Sequence, residues 1–164
     1  MIDNKIKKIV CIILVLILAV GAVEHSSSMA AVSCKSLCSA VLKATDSSDK
    51  LEYSSEIALD FGGFSSSDRK KVESIQYVCD TKEVYSICVV KAGSASNAKS
   101  LLKALKKYKN NNSNSDYLSD YSADEQKVLK NAICGRSGAY VWYIAMSSKK
   151  AVNRKGQTAL KKKL

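Results

Sequence analysis

The sequence contains no proline and only seven glycines among its 164 residues. Proline and glycine are the residues that most often interrupt helices and form linkers between domains. Because both residues are scarce, we find no candidate linker between domains, and no segment is repeated. Removing the first 31 of the 164 residues leaves 133, a length typical of one domain with one hydrophobic core.

Histidine and arginine are also scarce. The only histidine, His25, lies near the N-terminus, so the rest of the chain has no imidazole for a Ser-His-Asp or Cys-His mechanism, or for a histidine-ligated metal. Only three of the 26 basic residues are arginine, the residue favoured for bidentate recognition of phosphate. We therefore expect no nucleic-acid partner.

Other catalytic patterns are incomplete. Ser-x-x-Lys occurs five times, for example at Ser100, but the companion motifs of Ser/Lys enzymes are absent. Asn112, Asn114 and Asp116 have the spacing of a calcium loop, but its glycine and its bidentate glutamate are missing. We predict no catalytic residue, metal or cofactor, and favour a binding module. An enzyme or enzyme inhibitor with an unrecognised site is the alternative.

Cysteine is present in an odd number after residue 31, at Cys34, Cys38, Cys79, Cys88 and Cys134. Five cysteines cannot all pair within one chain. Each falls on a predicted apolar face, where cysteine behaves as a small hydrophobic residue. Buried thiols are favoured over disulfides, and the lack of Cys-x-x-Cys argues against zinc; the redox state stays open.

The N-terminal residues have the order of an export signal. Lys5, Lys7 and Lys8 precede fifteen uncharged, mostly aliphatic residues, 9–23, and a serine-rich stretch. A signal-peptide core needs about 7–15 apolar residues, whereas a spanning helix needs about 20. We predict a signal peptide or membrane anchor over residues 1–31, cleavage after Ala30 and an exported domain. An uncleaved anchor and a lipid on Cys34 are the alternatives.

Positive charge is concentrated in the C-terminal part. Residues 32–100 contain nine basic and nine acidic residues, whereas residues 101–164 contain fourteen and four. Such clusters attract polyanions, so we predict contact with an anionic membrane surface or a cell-wall polymer, and a protein partner stays open. Simple solubility is the alternative. The predicted contact residues are Lys103, Lys106, Lys107, Lys149, Lys150, Arg154, Lys155, Lys161, Lys162 and Lys163.

Periodicity predicts an α+β fold. Apolar residues recur at helical spacing in residues 33–43 and 98–108, and Ser122 to Glu125 fits a capping box at the start of a short helix. Alternating residues predict hairpins over 75–90 and 132–146, the second turning at residues 135–138. We expect a single domain, residues 32–148, with an antiparallel sheet of two hairpins packed on one face against amphipathic helices. Residues 149–164 are expected to form a basic helix or frayed tail.

The order of these elements resembles a known family. The strand over residues 83–91, Tyr121 before Asp124 and Glu125, and residues 129–133 leading to 138–141 are similar to domain of unknown function 4358. The resemblance covers residues 32–150, although Ser122 stands where proline is common. It implies a small exported or lipoprotein-type domain of Gram-positive bacteria with no established activity, so no site residues follow from it.

Overall fold

The computed structural model describes residues 31–47, 52–54, 63–80, 82 and 84–164. Residues Val32–Leu164 belong to one compact unit. The predicted signal peptide and its cleavage after Ala30 lie outside the described residues. Within the described ranges, no helix is both long enough and apolar enough to cross a bilayer.

Six helices and five strands make up the described part. The strands form one antiparallel sheet in the order β1-β2-β3-β5-β4. In chain order the elements are α1 (Cys34–Thr45), β1 (Glu52–Ser54), α2 (Ser66–Arg69), β2 (Val72–Cys79), β3 (Ser86–Ala92), α3 (Ala95–Asn111), α4 (Ser115–Leu118), α5 (Ala123–Lys130), β4 (Ile133–Ser137), β5 (Tyr140–Ala145) and α6 (Lys150–Lys161).

Both predicted hairpins are present, as β2 with β3 and as β4 with β5. The second turn is shorter than predicted, because Gly135 lies inside β4 and only Gly138 and Ala139 connect the strands. Gly138 has a φ of +52°, which glycine adopts easily. A Cβ on Gly135 would lie 2.5 Å from the Trp142 ring. Gly135 therefore makes room for a neighbouring side chain, not for a turn.

Helices cover both faces of the sheet. Val89 and Trp142 face α1 and α6, whereas Val90 and Tyr143 face α3 and α5. The α+β class, the antiparallel sheet and the single domain are confirmed, but the prediction that the helices pack on one face is wrong. The reason lies in β3 and β5, whose side chains are apolar on both faces and require a cover on each.

The C-terminal residues form a full helix, α6, that packs against α1. Gly156 lies at this contact, where a Cβ would come within 2.9 Å of Val41 Cγ1. Asn153, which is fully buried, accepts a hydrogen bond from Met146 N at 2.9 Å and donates to Asn131 O at 3.0 Å. Close packing and these buried hydrogen bonds fix α6 to the rest of the domain.

Candidate polyanion-binding surface

Helix α6 divides its residues between a buried face and a basic face. Asn153, Gly156 and Leu160 are buried, at spacings of three and four residues, as expected for one face of a helix. The basic side chains of this segment lie on the exposed side. They are Lys149, Lys150, Arg154, Lys155, Lys161, Lys162 and Lys163. These seven residues are called the α6 basic face below.

Among the described residues, no carboxylate lies within ion-pairing distance of the α6 basic face. The helix contains no Asp or Glu, and no residue of this face forms an ion pair within the described part of the chain. Lys163 Nζ lies 3.4 Å from Ser36 Oγ, and Lys161 Nζ lies 6.0 Å from the centre of the Trp142 ring. The recorded contacts of this face are thus with a hydroxyl and an aromatic ring and not with carboxylates.

Two lysines lie at the N-terminal end of α6, where a positive charge lowers the stability of a helix. Lys149 is the N-cap and Lys150 is the first helical residue, and neither a side-chain cap nor an acidic residue is present in the first turn. The helix macrodipole is positive at this end and disfavours a nearby cation by a few tenths of a kcal/mol or more. Helix stability therefore does not explain these two lysines.

The predicted contact residues of α3 lie on the opposite side of the sheet. Lys103, Lys106 and Lys107 are exposed, while Leu101 and Leu105 of the same helix are buried in the core that the β-sheet shares with α5. Since α6 packs on the other face, the ten predicted residues form two separate basic surfaces. The structure brings the seven C-terminal residues together and places the three α3 residues apart from them.

Lys103 and Lys107 line an open cleft of about 520 Å³ between α3 and α2. Its other lining residues are Gly63, Phe64, Ser65, Asp68, Ser100, Ala104, Tyr108 and Asn111. This space is called the α3 cleft below. Lys71 adjoins it, donating to Asp68 Oδ1 at 2.9 Å and to Ser100 Oγ at 2.8 Å.

Sequence reasoning missed most of the α3 cleft. The Ser65–Asp68 capping box at the start of α2 was a detectable signal, but nothing local places Lys71 beside Ser100. Ser100 does contact a lysine, although not the one of its Ser-x-x-Lys pattern. Lys71 Nζ is shared between Ser100 Oγ and the Asp68 carboxylate.

A second open cleft, of about 560 Å³, contains carboxylates and tyrosines. It is lined by Lys82, Asp116, Tyr117, Asp120, Tyr121 and Glu125. Ser122 Oγ donates to Glu125 Oε2 at 2.6 Å, and Lys82 Nζ donates to Oε1 at 2.9 Å. These bonds lower the pKa of Glu125 to about 2. Glu125 is therefore a capping carboxylate that cannot serve as a proton donor near neutral pH.

Several of the remaining aromatic and thiol groups are buried. Trp142 and Tyr143 are fully buried in the core. Burial raises the pKa of the thiols of Cys34, Cys38 and Cys88, which makes them poor nucleophiles. Among the residues with described positions, no three His, Cys, Asp or Glu side chains are grouped so that they could hold a metal ion.

Comparison with known proteins identifies the family of this chain. No curated protein and no solved structure matches the chain. The family described as domain of unknown function (DUF4358) matches residues 43–146. This range spans the sheet from β1 to β5 and the helices α2 to α5. The match covers more than half of the chain, which therefore belongs to the DUF4358 family.

Proposed function

We propose that this protein is an exported, non-enzymatic module of the cell envelope whose α6 basic face binds phosphate-bearing polyanions. The observation that carries the proposal is the absence of any ion pair on this face within the described part of the chain. Each unpaired basic residue near an anionic surface contributes about 1 kcal/mol to binding. Export rests on the signal-like order of residues 1–31.

The proposed binding is electrostatic and does not insert into a bilayer. Between its basic residues, the exposed side of α6 carries only Ala151 and Thr158, and Tyr117, the only large exposed hydrophobic residue of the described part, lies on α4. Lysine binds phosphate as a point charge, with little geometric selectivity. Phosphates of wall polymers and of lipid headgroups both have this chemistry, so the experiment must separate them.

The test compares charge variants of the domain from Val32, because removing residues after Ser148 would uncover the α1 face that α6 covers. In the test variant Arg154, Lys155 and Lys162 become glutamine; in the control, Lys70, Lys99 and Lys130, which are also exposed, become glutamine. Each variant loses three charges. Lys161 is kept because it lies over Trp142.

The measurement is cosedimentation with purified cell wall and, separately, with vesicles containing anionic lipid, over a salt series. We expect the test variant to bind at least about tenfold more weakly than the control, and the salt dependence to become shallower. Binding to wall alone or to vesicles alone identifies the source of the phosphate. Equal weakening in both variants, or no binding by the unmodified domain, would refute the proposal.

A further inference from the structure

The α3 cleft contains two like charges that repel each other. Lys103 and Lys107 are four residues apart on α3, so their side chains are neighbours on the helix surface. Like charges at this spacing destabilise a helix, and neither lysine forms an ion pair in the part of the chain that the structure describes. An anion bound between the two ammonium groups would remove this repulsion.

A third ammonium group is held beside them in a fixed position. Lys71 Nζ is bound to both Asp68 Oδ1 and Ser100 Oγ, and these two residues line the cleft. Asp68 also accepts a hydrogen bond from Ser65 Oγ at 2.7 Å. Partial burial acts to raise the pKa of Asp68, but the hydrogen bonds from Ser65 and Lys71 outweigh it and lower this pKa. With the adjoining Lys71 counted, three ammonium groups and one carboxylate give the cleft two positive charges, of which its lining residues alone supply one.

The cleft also has groups suited to the uncharged part of a ligand. Phe64, which is only 7% exposed, and Ala104 form apolar wall, while Ser65, Ser100 and Asn111 supply hydroxyl and amide groups. Its volume of about 520 Å³ lies within the usual range of small-molecule sites, about 300–1,000 Å³. The site therefore suits a compact anion that carries an organic group.

We propose that the α3 cleft binds a small phosphate monoester, with the phosphate between Lys103 and Lys107 and the organic group against Phe64. A phosphate monoester carries nearly two negative charges at neutral pH, which matches the two positive charges of the cleft. A carboxylate would neutralise only one of them. This site goes beyond the proposed envelope contact, because it lies on the other face of the sheet from α6.

The experiment is a calorimetric titration of the domain from Val32 with phenyl phosphate, inorganic phosphate and benzoate. Phenyl phosphate is expected to bind most tightly, because it alone combines a dianion with an apolar group. Benzoate is expected to bind at least about tenfold more weakly. Saturable binding of benzoate with equal affinity would show that the cleft does not select phosphate, and no saturable binding of phenyl phosphate would overturn the proposal.

Two matched variants locate the site. Lys103→Gln with Lys107→Gln is expected to weaken phenyl phosphate binding at least about tenfold. Lys43→Gln with Lys130→Gln removes the same charge from exposed positions on other helices that do not line the cleft, and is expected to change the affinity less than twofold. Equal weakening by both pairs would mean that only the general positive charge attracts the ligand, which overturns the assignment.

The α6 test variant separates this inference from the proposed function. Arg154→Gln, Lys155→Gln and Lys162→Gln should leave the affinity for phenyl phosphate unchanged while weakening binding to wall or vesicles. Loss of phenyl phosphate binding in this variant would place the ligand on α6 and refute the cleft. Failure of the envelope contact alone would leave the cleft binding intact.

Discussion

At the scale of single residues, the side chain of Asn153 connects three parts of the domain by hydrogen bonds. Its buried amide accepts from Met146 N and donates to Asn131 O and Ser147 O, so it joins α6 to the ends of α5 and β5. Asn131 Nδ2 in turn donates to Ser148 O at 2.7 Å. A buried polar residue usually destabilises a core unless its hydrogen bonds are made, and here all of them are.

Asn153→Ala is expected to lower the free energy of unfolding by about 3 kcal/mol, since it leaves one buried N–H and two carbonyl groups without this partner. Urea denaturation followed by circular dichroism measures the change. Thr158→Ala, at an exposed position of the same helix, is the control and should cost less than about 0.5 kcal/mol. Similar losses in the two variants would show that Asn153 is dispensable.

Glycine is needed at position 135 because the Trp142 ring packs against it, and not because its backbone has a positive φ. The Trp142 ring is fully buried, and an added Cβ at Gly135 would overlap it at 2.5 Å. Gly135→Ala should therefore lower the free energy of unfolding by more than about 2 kcal/mol. Gly93 is exposed, with the nearest atom to an added Cβ at 3.7 Å; Gly93→Ala should change stability by less than about 0.5 kcal/mol. Thermal denaturation of both variants tests this difference, and a stable Gly135→Ala protein would contradict it.

At the scale of elements, the capping box of α5 links stability to pH. Hydrogen bonds from Ser122 and Lys82 lower the pKa of Glu125 from 4.5 to about 2 in the folded protein. A carboxyl whose pKa is depressed by folding contributes stability above its unfolded pKa, and that contribution is lost as the pH falls through the folded value. The loss should therefore occur between about pH 5 and pH 2.

Glu125→Gln is expected to remove this contribution. The unmodified protein should be more stable than the variant near pH 7, and the difference should disappear as the pH approaches 2. Denaturant unfolding at a series of pH values measures both curves. Asp46→Asn, at the exposed C-cap of α1, controls for the loss of a carboxylate. Parallel curves for the protein and for Glu125→Gln would contradict the prediction.

Elements with a local signal could be predicted from the sequence, and their arrangement could not. The stripe of Cys34, Leu37 and Val41 and the Ser122–Glu125 box gave α1 and α5, because periodicity and capping involve residues within a few positions. Which face of the sheet each helix covers depends on contacts distant in sequence. The α3 cleft has the same origin, since Lys71 and Ser100 are 29 positions apart.

At the scale of the whole molecule, the core contains its cysteines as thiols. Cys34 and Cys38 lie on the buried face of α1 and Cys88 lies on the central strand β3, all buried, while Cys79 and Cys134 are half-buried. Burial raises the pKa of Cys134 to about 11 and that of Cys34, Cys38 and Cys88 as well. Since the thiolate is the nucleophile that attacks an alkylating reagent, the buried thiols of Cys34, Cys38 and Cys88 should react only when the domain opens.

Treatment of the native domain with iodoacetamide at pH 8 should therefore leave Cys34, Cys38 and Cys88 unmodified over times in which a free thiol reacts completely. In urea, without a reducing agent, all five cysteines of the domain from Val32 should become alkylated, as counted by intact mass. A sample reduced beforehand provides the control. If the unreduced sample takes up two fewer alkyl groups than the reduced one, two of the five cysteines form a disulfide. The prediction that all five are thiols would then be wrong. Equal numbers of alkyl groups in the two samples, with labelling rates that follow global unfolding across a urea series, would show that burial in the core alone protects these thiols.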